Sequence, residues 1–99
     1  MGAKRQIEAS IFSGHALRQM FAREITVDEI KPVVDRGESV ASYPDDRPHP
    51  SELLLGFAGK RPLHVVLAYN ASAREGYIVT AYVPETEFWS EDYRTKRKP

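Results

Sequence analysis

The chain has 99 residues, with 14 Lys and Arg balancing 14 Asp and Glu, 41% hydrophobic residues and no cysteine. That length suits one domain with a real core, and the apolar fraction is too high for a disordered chain. The missing cysteines exclude disulfides, zinc–thiolate centres and thiol nucleophiles; with no apolar run near the ~20 residues of a membrane span and no signal-peptide pattern, a cytoplasmic protein without membrane attachment is expected.

In chain order, Gln6 to Phe12 alternates Ile7, Ala9 and Ile11, a weak strand signal. Ser13 is a helix N-cap for a segment from Gly14 to Glu24 whose apolar side is Leu17, Met20 and Phe21, with Ala16 at its edge. Thr26-Val27-Asp28-Glu29 fits a capping box, Ile25 and Ile30 fit a hydrophobic staple, and Ile30, Val33 and Val34 form the buried stripe of a second helix. Pro32 should kink or loosen that helix, and Gly37 is placed to end it as a C′ residue.

Beyond Gly37 the period changes to two. Strands are expected at "ESVASY", "ELLLGFAG", "PLHVVLAY" and "YIVTAYV", separated by the loop "PDDRPHP", a turn at Gly59-Lys60-Arg61 and the polar hairpin loop "NASAREG". Pro84 stops the ladder, and "ETEFWSEDY" is expected as a turn or short helix docking Phe88 and Trp89. The fold class is therefore α+β: an N-terminal strand and two helices packed on a small antiparallel sheet of about four strands.

Parity in the last two strands separates two faces. Leu63, Val65, Leu67 and Tyr69, with Tyr77, Val79, Ala81 and Val83, should meet the helices. His64, Val66 and Ala68, with Ile78, Thr80 and Tyr82, make the other face. A symmetrical hairpin register sets His64 near Tyr82 and Val66 near Thr80. This second face has the composition of a shallow site, and equally of any half-covered sheet. On the first helix, His15, Gln19 and Arg23 recur every four residues along the polar side, as either a binding edge or a solvated face. His15, His49 and His64 lack metal-ligand spacing, so no metal or cofactor is expected. Basic residues gather at Lys4-Arg5 and in the closing "RTKRKP", where flexible, solvated tails are expected over a phosphate-binding arm.

The stretch "HALRQMFAREIT" resembles the H-A-x-x-R-M-x-x-R-x-I-[S/T] opening of the domain of unknown function 4258 family, which is itself similar to the RelE/ParE-like toxins of bacterial toxin–antitoxin systems. The likeness continues through "DRGE", an Arg-Pro pair, "PLHVVLAY", "IVTAYVP" and a C-terminal Trp followed by basic residues. His15, Ala16, Met20, Arg23, Ile25 and Thr26 match, while Gln19 stands where the family commonly has Arg. The resemblance implies a RelE-like domain over 1–99 and a metal-independent endoribonuclease acting on mRNA, with RNA or the ribosome and an antitoxin protein as partners. Residues suited to that chemistry are His64, His15, Arg23 and Tyr82 at the catalytic centre, and Arg61, Arg47, Thr80, Arg94 and Arg97 against RNA. The alternative is a non-catalytic protein- or RNA-binding module of the same fold, favoured by neutral net charge and Gln19.

Overall fold

The computed structural model describes residues 5–98. Its elements run β1 (Ala9–Phe12), α1 (Gly14–Ala22), α2 (Val27–Arg36), β2 (Glu38–Tyr43), β3 (Ser51–Ala58), β4 (Arg61–Asn70) and β5 (Glu75–Tyr82). They form one sheet in the order β1-β5-β4-β3-β2. The four-strand antiparallel meander is as expected. The N-terminal strand differs: it joins the sheet edge parallel to β5, with Ala9 opposite Glu75 and Phe12 opposite Ile78, so the sheet is five-stranded and mixed.

Local chemistry explains both helices. The Ser13 side chain accepts the Ala16 amide, and Thr26 and Glu29 form the complete capping box. Pro32 does not interrupt α2, which stays helical to Arg36. Its missing N–H costs one hydrogen bond, and Ile30, Val33 and Val34 hold the helix by burial. Gly37 ends α2 with φ −60°, outside the left-handed region expected for a C′ glycine. A Cβ there would collide with the Val33 carbonyl oxygen, so close approach demands the glycine.

The apolar side of α1 is turned from its expected direction. Ala16 and Met20 are buried, whereas Leu17 is 43% and Phe21 88% exposed. At ~100° per residue this is a rotation of roughly 70°. The rotation seats small Ala16 on the sheet and brings Gln19 inward to accept from Thr80 at 2.6 Å. The helix then closes with Ile25 N–H donating to the Met20 carbonyl (2.9 Å) and Glu24 in the left-handed conformation, φ 57°. This six-to-one closure is usually built on glycine.

The core between helices and sheet joins Ala16, Met20, Ile30, Val33 and Val34 to Leu54, Leu63, Val65, Leu67, Ile78 and Ala81. A bulge in β5 corrects the expected parity. His64 pairs with Tyr82 and Val66 with Thr80, but Leu67 then faces Ile78 and Ala68 faces Tyr77. Ile78 therefore enters the core, Val79 is left exposed, and Tyr77 moves to the opposite face, where it stacks on His49.

Residues 84–98 pack across that opposite face. Trp89 meets His64, Tyr93 meets Phe57, and Arg94 reaches Glu38. A docked segment thus stands where a frayed basic tail was expected. Phe88, expected to dock with Trp89, remains 55% exposed. At the other end Arg5 donates to the Val34 and Gly37 carbonyls, and Lys4 lies outside the described residues.

Candidate functional site

The β4–β5 hairpin carries His64 into a closed environment. Its relative exposure is 0%, under the edge-on ring of Trp89 at 4.4 Å between centroids. Nε2 lies 2.8 Å from the Tyr93 carbonyl oxygen. A carbonyl only accepts, so Nε2 carries the proton and Nδ1 is left to accept. The Tyr82 hydroxyl, 3.2 Å away, donates to it. Burial pulls the imidazole pKa below 6.5, against a smaller opposing pull from the Tyr93 carbonyl. His64 is therefore neutral at pH 7. Burial also raises the Tyr82 phenol, nearby Tyr43 adds to this, and Arg23 opposes it.

Arg23 caps the C-terminal end of α1. Its Nη1 donates to the Ala81 carbonyl at 2.8 Å and to Thr80 Oγ1 at 3.3 Å. Thr80 donates in turn to Gln19, so α1 is tied to β5 by a polar seam. Beside the seam opens a cleft of about 380 Å³, whose lining includes Arg23, Tyr82, Glu85, Phe88 and Trp89. A guanidinium, a phenol backed by a neutral imidazole, and two aromatic rings thus surround one space. The cation suits a phosphate, the rings suit a base, and the phenol can exchange protons with the imidazole behind it.

Of the nine residues singled out in the sequence, His64, Tyr82, Thr80 and Arg23 come together. His15 is exposed on the first turn of α1 and does not line the cleft. Arg61 pairs with Glu29 at 2.7 Å. The Glu29 carboxyl is held below its usual range chiefly by the Thr26 amide, with Arg61 assisting. Arg94 grips Glu38 through Nε and Nη2, both at 2.9 Å. Arg97 Nε donates to the carbonyls of Thr86 (2.6 Å) and Trp89 (2.8 Å). These last two cations fasten the C-terminal segment. Arg47 is exposed in the β2–β3 loop, at a separate hollow with His49, Tyr77 and Val79.

Sequence reasoning missed Glu85 and the exposed ring of Phe88 as cleft residues. The available signal was the Phe-Trp pair shortly after Pro84, an aromatic dipeptide outside any strand. A model of the family described as Domain of unknown function (DUF4258) matches residues 12–83, from the last residue of β1 to just past β5. No curated protein and no solved structure gives a significant match.

Proposed function

The chain belongs to the family described as Domain of unknown function (DUF4258), and on that premise we propose that it is a RelE-like, toxin–antitoxin-type protein that cleaves RNA. The supporting observation is a hydrogen-bond chain in which the Tyr82 hydroxyl donates to His64 and His64 donates to the Tyr93 carbonyl, at a cleft that also holds Arg23. In the proposed reaction the ribose 2′-oxygen attacks the adjacent phosphorus, and the bond from phosphorus to the 5′-oxygen breaks. Tyr82 takes the 2′-hydroxyl proton as its own moves to His64 Nδ1. Arg23 faces the charge that builds on the phosphoryl oxygens. Water protonates the departing 5′-oxygen. The products are a 2′,3′-cyclic phosphate and a 5′-hydroxyl. Burial then favours return of the proton from His64 to Tyr82 and out to solvent. Phe88 and Trp89 offer stacking surfaces for a neighbouring base.

The test compares wild type, Arg23→Ala and Tyr82→Phe for RNA cleavage with and without ribosomes, and for growth after induction. Tyr82→Phe should lower cleavage by about 100-fold or more while RNA still binds. Arg23→Ala should weaken both. A wild type that cuts no RNA under either condition and never slows growth ends the proposal. A second reading, binding without cleavage, is supported by the complete enclosure of His64 and by Gln19 at the α1–β5 seam. It requires that the wild type bind RNA or a partner protein with no product formed.

A further inference from the structure

Phe21 is a large apolar side chain standing 88% exposed on α1. Beside it lies a groove of about 520 Å³ whose walls include Leu17, Met20, Ile25 and Val27. Leu17 and Val27 are themselves 43% and 39% exposed. Single exposed apolar residues are ordinary, but a contiguous patch marks an interaction surface. This patch carries a knob and a hole side by side. A surface that can fill its own hollow meets the requirement of a two-fold interface.

We propose that a second copy of this chain covers the patch, with α1 antiparallel to the partner's α1 and each Phe21 seated in the other's groove. Charge points to that occupant. Arg18 lies three residues before Phe21 and Glu24 three residues after it. Neither side chain has a hydrogen-bond or ion-pair partner among the described residues. An antiparallel crossing centred on Phe21 sets Arg18 against the partner's Glu24, and symmetry repeats the pair. Glu24 also occupies a left-handed position, φ 57°, that glycine would fill without strain. A carboxylate kept there at a conformational cost gains a counter-ion in the dimer. The patch is built from a handful of residues, against the roughly 20–30 a side of a standard interface, so the dimer is weak and concentration-dependent. Gln19 points about 160° away from Phe21 around the helix, so the Arg23 cleft stays open in the dimer. The dimer and the RNA reading therefore stand or fall separately.

Sedimentation velocity of the full chain over about a hundredfold concentration range tests this. The wild type should pass from monomer to dimer. Phe21→Glu should weaken association by at least about tenfold while leaving the circular dichroism unchanged, because the side chain is exposed. Arg18→Glu and Glu24→Arg should each weaken the dimer, and the double swap should restore it. The proposal is overturned by a wild type that stays monomeric throughout, by a Phe21→Glu dimer as strong as wild type, or by a double swap no better than the singles.

Discussion

Burial of His64 behind Trp89, Tyr82 and the Tyr93 carbonyl makes a neutral imidazole part of the folded state. Its folded pKa is lowered from 6.5, so below that value the unfolded chain binds more protons than the folded one. The His64 contribution to stability is therefore complete above about pH 6.5 and declines as pH falls towards the lowered folded value. Urea unfolding between about pH 5 and 8 should show this decline in the wild type. His64→Gln should flatten it, with a lower stability near neutrality. A wild type and variant with the same slope would contradict the assignment. At the same scale, Arg23 acts twice: it ties α1 to the Ala81 carbonyl and presents a cation to the cleft.

At the scale of elements, α2 sits close on the sheet because Gly56 of β3 leaves room for Val33. A Cβ at Gly56 would approach Val33 Cγ2 to 2.5 Å, which α2 can relieve only by moving. Gly56→Ala should therefore cost about 1–3 kcal/mol in thermal or denaturant unfolding, and a neutral result would show that the contact yields easily. The two helices differ in how fully sequence rules describe them. The capping box of α2 binds as its residue pattern demands, because its partners are three residues apart. The facing of α1 depends on β5, whose bulge and Thr80 draw Gln19 inward and leave Phe21 outside.

At the scale of the molecule, the family match ends at residue 83, and the segment after it closes one face of the sheet. Trp89 is mostly buried there against His64, so Trp89→Ala should cost about 2–4 kcal/mol, somewhat less than the loss of a fully buried tryptophan. It should also open His64 to water and raise its pKa towards 6.5, read by NMR titration of the imidazole. An unchanged titration would mean that the Tyr93 carbonyl and neighbouring strands enclose His64 without Trp89. Arg94 and Arg97 belong to this closure: their bonds to Glu38 and to the Thr86 and Trp89 carbonyls hold the segment in place.

The sequence by itself determined both helices, their N-caps and the antiparallel meander; the expected pairing of His64 with Tyr82 holds only because of the bulge, since the register at Asn70 and Glu75 alone would set His64 opposite Ala81. The helices and N-caps depend on neighbours a few residues apart, and the meander on strands joined by short connections. Only the tertiary structure decided that β1 adds a parallel edge, that β5 bulges at Val79, that α1 turns Phe21 outward, and that residues 84–98 fold back over His64. Those outcomes depend on contacts between distant segments, where space and hydrogen-bond partners, not local pattern, set the result. The same division runs through the site. Arg23, Thr80, Tyr82 and His64 were visible as residue types, but their meeting beside Glu85 and Phe88 exists only where α1, the hairpin and the C-terminal segment converge.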